Sequence, residues 1–305
     1  MSGRFDRNAP GDGAEVNCRL ENGKAVLEWS FFLEEEDQEG ILRLTVTDAE
    51  GKTMLECIRR QSEEEPAQTI LLQPHLWNGV RDPYLYTLEA MLLDKMGTCR
   101  DRLRRPLALY DLEYRSGKGM FLNGNSFEER AVRYYLPEMT AEGQHRTLKD
   151  LRLLRELGAN TIYAEQQEGP IKPFLQLCQR VGFLAGAGRD KVPVFRGEDE
   201  CLFSEDTGPT ALFYRYKARW CREPFVYIVP ESVKPGEDGN YTAVVYSNCS
   251  RVALYSDGIL HEFQSGSEEF VFRGIPGKHP YLILTAEAED CTESLSIHKA
   301  FTNLM

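Results

Sequence analysis

The sequence has no apolar run approaching the ~20 residues that cross a bilayer. Its opening, Met1-Ser2-Gly3-Arg4-Phe5-Asp6, has no apolar signal core, so nothing in it points to export. It also lacks a surplus of positive charge: 48 acidic residues outweigh 36 Lys and Arg, for a net charge of −12. Sequence-independent binding to nucleic acid or to an anionic membrane needs a basic face, so neither is an expected partner. The cysteines, at 18, 57, 99, 178, 201, 221, 249 and 291, include no CxxC pair. Eight in 305 residues is far below a disulfide scaffold, so free thiols and a cytoplasmic location are expected. The histidines, at 75, 145, 261, 279 and 298, form no HxH or HExxH pattern, and no metal site is expected. Gly182–Gly188 follows a helical pattern and has no following Lys, so it is no phosphate loop. A G-x-S-x-G elbow is missing as well, and no cofactor is expected.

What is present is a chain long enough for two or three domains. Its organising stretch runs from Lys118 to Gly186. The Thr147–Leu157 run has apolar residues at 148, 151, 153, 154 and 157, one face of a helix, and Gly158 ends it. Thr161-Ile162-Tyr163 is short and β-branched, as a buried parallel strand should be. Pro170 and Pro173 lie where a second helix starts, with Phe174, Leu175, Cys178 and Val181 on its apolar face. The middle therefore reads as strand, helix, strand, helix, strand, with parallel strands joined by right-handed crossovers.

The flanks read as β. Residues 1 to about 13 are polar and Gly/Pro-rich and read as a disordered lead-in. Ala25–Phe31, Leu42–Thr47 and Leu85–Leu92 show strand patterning, with turns at Asp48–Lys52 and near Asp94–Gly97. Short strands at this spacing suggest a seven-strand sandwich of ~100 residues. Glu34–Asp37 and Glu63–Glu65 read as solvated loop. Arg189–Gly208 reads as loop with one short strand at Val192–Phe195. Thr210–Trp220 reads as a helix whose bulky face, 212, 213, 216 and 220, is core. Beyond residue 223, Phe225–Val229, Tyr241–Tyr246, Arg251–Tyr255, Glu269–Phe272 and Tyr281–Thr285 read as strands of a second small sandwich, with a D-G turn at Ser256–Gly258.

Several segments resemble glycoside hydrolase family 2, which includes β-galactosidases and β-glucuronidases. Leu76-Trp77-Asn78-Gly79-Val80-Arg81-Asp82-Pro83-Tyr84-Leu85-Tyr86-Thr87-Leu88 is similar to that family's "LW…DPYLYTL" text. Gly119–Asn125 resembles the "GFxLNGK" that opens its catalytic barrel. Asp150–Tyr163 resembles "D…MKxxGxNAIR", and Phe174–Gly182 resembles "FYDLCDELG". Tyr214–Trp220, Tyr246–Cys249 and Val252–Gly258 resemble the "YYxxxxxW…YTNCDEVELFLNG" that joins barrel to immunoglobulin-like domain. The resemblance runs over about residues 15 to 290, in family order. It implies a multidomain β and α/β chain. An immunoglobulin-like β-sandwich spans 14–114, a truncated (β/α) TIM-barrel remnant 115–222, and a second immunoglobulin-like β-sandwich 223–305.

The departures shape the functional expectation. A complete barrel has eight βα units and needs roughly 250 residues. Here residues 187 to 208 alone separate the third strand from the last helix, so by this reading five units are missing. The resemblance places the acid/base Glu after strand four and the nucleophile Glu after strand seven, both in the missing part. An Asn and a His of the family fall near Arg133 and Tyr135, and its Arg-x-x-His falls on Tyr163 and Gln166. No catalytic residue is therefore assigned. The candidate cleft consists of Tyr135, Tyr163, Glu165, Glu168 and Glu205, with Asp206 beside it. Tyr134, Tyr135 and Tyr163 are able either to stack on a sugar or to cover the sheet. The expected function is a carbohydrate-related binding or accessory role with glycosidase activity lost. The alternatives are an active or repurposed glycosidase and a purely structural or interaction module. Carbohydrate is the expected partner. Three parallel strands cannot close a barrel, so Val132, Ile162 and Leu184 need cover. Cover within one chain, hence a monomer, is expected, with a two-fold homodimer the alternative.

Overall fold

The computed structural model describes residues 4–34, 40–60, 67–137, 140–165, 171–187, 192–196, 200–277 and 281–298. They fall into two compact units, residues 1–129 with 172–184, and residues 130–171 with 185–305.

In the first unit, alternation decides which side chains face inward. Ile41–Thr47 buries Leu42, Leu44 and Val46, and Tyr86–Leu93 buries Tyr86, Leu88, Ala90 and Leu92. They pair antiparallel, with Leu44 opposite Ala90 and Val46 opposite Leu88. With Thr53–Arg60 and Cys99–Leu107 they make a four-stranded sheet, and Ala14–Glu21, Lys24–Phe31 and Ala67–Leu72 make a three-stranded one. One core draws Ala25, Leu27, Trp29 and Leu71 from the smaller sheet and Leu44, Val46, Tyr86 and Leu88 from the larger. The two sheets are thus a sandwich of seven described strands.

The lead-in departs from expectation. Phe5 is fully buried with Leu42, Ala90, Leu92 and Leu103, and its N–H donates to Asp101 Oδ2 at 2.9 Å. A single aromatic residue in a polar run carries no periodicity, so nothing in the amino-acid order marks this anchor. Trp77, in the "LW" segment, is also buried; its indole N–H donates to the Gln179 carbonyl at 2.9 Å, and it packs with Ala108, Leu122 and Leu184. The helix holding Gln179 ends at Gly182 (φ 95°), where an added Cβ would lie 2.6 Å from the Gly79 carbonyl oxygen.

The second unit holds a six-stranded sheet. The strands and helices along this stretch of the chain are β1 (Ala131–Tyr135), α1 (Ala141–Leu157), β2 (Thr161–Glu165), α2 (Ile171–Val181), β3 (Leu184–Ala187), β4 (Val194–Arg196), β5 (Cys201–Ser204), β6 (Gly208–Pro209) and α3 (Ala211–Trp220), of which α2 from Lys172 onward and Leu184 belong to the first unit. The sheet order is β3-β2-β1-β4-β5-β6. β1 is parallel to β2 and to β4, β4 is parallel to β5, and β6 is antiparallel to β5. The loop expected over 189–208 therefore supplies three strands rather than one. They pair along the edge of β1 that three strands alone would have left open. With three, four and two residues, these strands are too short to show a period of two. Val132 and Ile162 are fully buried.

Local chemistry fixes the helices. Thr140 caps α1 by accepting from the Gly143 N–H at 3.1 Å, so the helix starts six residues before the Thr147 expected. Gly158 (φ 89°) closes α1 in the left-handed conformation. Thr210 caps α3 through the Phe213 N–H. The C-terminal part is again two packed sheets, with Val245, Phe270 and Phe272 of one facing Val252, Leu254, Leu282 and Leu284 of the other. Ile259–Ser265 and Cys291–His298, polar strands at the two edges of one sheet, were not recognised in the sequence. The α3 helix joins this sandwich through Tyr214 stacked on Tyr227, ring centroids 3.5 Å apart.

Two outcomes follow from these contacts. A Cβ on Gly158 would sit 2.5 Å from the Trp220 carbonyl oxygen, on backbone that cannot swing away. Gly158→Ala should therefore lower the unfolding free energy by about 2–4 kcal/mol in urea titration, through strain and clash together. Glu293 accepts from the Ile228 N–H, yet its half-buried position raises its pKa above the ordinary carboxyl value, an effect that bond offsets only in part. The folded state thus holds the proton more tightly than the unfolded chain. The resulting stabilisation is complete below the ordinary carboxyl pKa and is lost as pH rises through the raised one. Glu293→Gln should raise the melting temperature at pH 7 and leave it nearly unchanged at pH 4, read by scanning calorimetry at both.

Candidate functional site

The period of two divides β1 and β2 between two faces. Val132 and Tyr134 of β1, with Ile162 and Ala164 of β2, are buried, whereas Arg133, Tyr135, Tyr163 and Glu165 are only half-buried. The parallel register sets Arg133 beside Tyr163 and Tyr135 beside Glu165. Arg133 Nη1 donates to Glu165 Oε1 at 3.2 Å, so the carboxylate at the end of β2 already has a cation. Gly186 of β3 lies against Tyr163: a Cβ there would meet Tyr163 Cε1 at 3.2 Å, so that ring rests on the neighbouring strand.

The buried side carries a polar network. Asp150 of α1 is fully buried and accepts from the Tyr134 hydroxyl at 2.9 Å and from Arg196 at 3.1 Å (Nε) and 2.5 Å (Nη2). Arg196 Nη1 also lies 3.1 Å from Glu205 Oε1, and Arg146 of α1 pairs with the same carboxylate. Burial, and then the Asp150 charge, push the Tyr134 hydroxyl well above its usual range, so it remains a donor. Burial alone would lower the Arg196 pKa, but its bonds to Asp150 and the charges of Asp150 and Glu205 raise it. Tyr134 is thus a structural residue and not a sugar platform.

The candidate residues do not assemble into one cleft. Tyr135, Tyr163 and Glu165 share a face of β1 and β2. Glu205 follows β5 and is held by Arg146 and Arg196. Glu168 lies outside the described residues. A cleft adjoins this face at Arg133, the ion-pair partner of Glu165. It has a volume of about 480 Å³ and is lined by Arg133, Val192, Pro193, Val194, Glu200, Leu212 and Tyr216. Leu212 and Tyr216 were expected in the core; only Phe213 and Ala218 of α3 are fully buried, and these two are half-exposed. Glu200 has φ 44°, an uncommon conformation for a residue with a Cβ. Nothing in the sequence around Glu200 distinguished it from the other carboxylates of a polar loop. Among the described residues no group of three or more His, Cys, Asp or Glu is placed to hold a metal ion, and no helix is long and apolar enough to cross a membrane.

No protein-family model matches the chain. A β-glucuronidase of Bacteroides fragilis is 31% identical over 102 residues, 32% of this chain and 14% of that protein. The match thus spans about a seventh of that curated relative. Among solved structures, an FMN-binding β-glucuronidase from Facaelibacterium prausnitzii L2-6 superposes with a TM-score of 0.81 at 15% identity, over 99% of this chain and 76% of that one. A glycosyl hydrolase family 2 member from Bacteroides cellulosilyticus DSM 14838 superposes with a TM-score of 0.71 at 14% identity, over 98% of this chain and 64% of that one. The fold is that of glycoside hydrolase family 2. The resemblance carried by the "LW…DPYLYTL" and "GFxLNGK" segments thus extends to nearly the whole chain as a fold. Asp150 opens the third of the resembling segments, and here it is the hub of the buried network. Asp150→Ala would leave Arg196 and Tyr134 without their buried acceptor. It should lower stability by about 3–5 kcal/mol in thermal and urea unfolding, whereas Asp150→Asn, which keeps one acceptor oxygen, should cost less.

Proposed function

We propose that this chain is a carbohydrate-binding or accessory protein built on the family 2 fold, in which glycoside hydrolysis has been lost. The relatives' names, β-glucuronidase among them, supply the link to carbohydrate. The observation that carries the loss is the placement of the carboxylates. A retaining glycosidase needs two carboxyl groups about 5–5.5 Å apart and an inverting one about 6.5–9.5 Å. Glu165 ends β2 and Glu205 follows β5, with β1 and β4 between them. Three strand spacings of ~4.8 Å put about 14 Å between their strands. Each is also engaged by arginine, Glu165 by Arg133 and Glu205 by Arg146 and Arg196. On this reading the six-stranded sheet is what remains of the barrel, and the three domains are 14–114, 115–222 and 223–305. Tyr135 and Tyr163 then serve to cover the sheet rather than to hold a transition state.

A panel of nitrophenyl β-glycosides, including the glucuronide and the galactoside, should show no turnover above the blank. Turnover that disappears in Glu165→Gln or in Glu168→Gln would overturn this reading.

A further inference from the structure

The cleft beside α3 is not used by any role assigned above, and it lies at the wrong end of the strands for barrel chemistry. Val192, Pro193 and Val194 lead into β4, and Glu200 precedes β5. These are the amino ends of parallel strands, whereas barrel enzymes place chemistry at the carboxyl ends. Its walls combine three kinds of group. Val192, Pro193, Val194 and Leu212 are apolar, Tyr216 offers an aromatic ring, and Arg133 and Glu200 bring a donor and an acceptor. The volume, about 480 Å³, is within the range of small-molecule sites.

The charges decide what fits. Among the described lining residues Arg133 is paired with Glu165 at 3.2 Å, and Glu200 adds a negative charge beyond that pair. An anionic ligand would gain little from Arg133 and would be repelled by Glu200. A neutral ring bearing hydroxyls meets every wall: its C–H face rests on Tyr216 and Leu212, one hydroxyl accepts from Arg133, and another donates to Glu200. We propose that this cleft is a binding site for a neutral monosaccharide unit and that Glu200 makes it select against uronic acids. The inference rests on the carbohydrate reading above and adds to it the place and the charge class of the ligand.

The test is titration of the full chain with methyl β-D-galactopyranoside, methyl β-D-glucopyranoside and methyl β-D-glucopyranosiduronate, followed by ligand-observed NMR. At least one neutral glycoside should bind at least tenfold more tightly than the uronate. Leu212→Trp, which fills the cleft from a half-exposed position, should abolish this binding. Glu200→Gln, at an exposed position, should weaken neutral binding about fivefold and narrow the gap to the uronate. Tyr114→Phe, at an exposed position in the first unit, should change nothing. Circular dichroism of each variant confirms that it is folded. Tighter binding of the uronate overturns the charge assignment. Sugar binding that survives in Leu212→Trp overturns the location and leaves the carbohydrate reading standing. Failure of all three glycosides to bind overturns the cleft proposal. Failure of a broad glycan array as well overturns the carbohydrate reading with it.

Discussion

A carboxylate that no water reaches has to be satisfied by the protein, and Asp150 is such a group. It sits on the inner face of α1, fully buried, with Tyr134 of β1 and Arg196 of β4 as its donors. One side chain thereby ties the helix to two adjacent strands. The tie matters most for β4, which has three residues and, among the described residues, is in register with β1 at Arg133 and Val194. A ladder that short does not hold a strand in place. The charge pair, with Phe195 stacked on Tyr134 at 5.9 Å, does so instead. Once β4 is fixed, β5 and β6 follow it, and the second edge of β1 is closed.

The same placement determines the other face. With Tyr134 turned to α1, the pleat turns Arg133 and Tyr135 the opposite way, and the parallel register brings Glu165 to Arg133. Glu165 is thereby an ion-pair partner of Arg133. Arg196 pairs likewise with Glu205. In this chain Arg133 and Arg196 engage the carboxylates that end β2 and follow β5.

α3 shows how a fold can open a cleft with residues that look like core. Its capped start at Thr210 and its stacked Tyr214 fix the helix between the sheet and the C-terminal sandwich. Phe213 and Ala218 take the buried positions, and Leu212 and Tyr216 are left at the rim. The apolar stripe of a helix is wider than the contact it makes, so one edge remains available to line a cleft.

Much of the fold was legible from the amino acids alone. Alternation in Leu42–Val46 and Tyr86–Leu92 determined which side chains enter the first core. Helical spacing up to Leu157, stopped by Gly158, determined α1, and the family 2 segments determined the order of parts. These signals are local, set by periods of 2 and 3.6 and by glycine's freedom at positive φ. The remainder depended on partners far away in the chain. β4, β5 and β6 are too short to carry a period and exist because β1 offers an edge. Phe5 is a core residue because the sandwich has a place for it. Arg133, Glu200 and Tyr216 line one cleft although they lie far apart in the chain. Whether a carboxylate is free or paired depends on which arginine the tertiary fold brings beside it, and no sequence period encodes that.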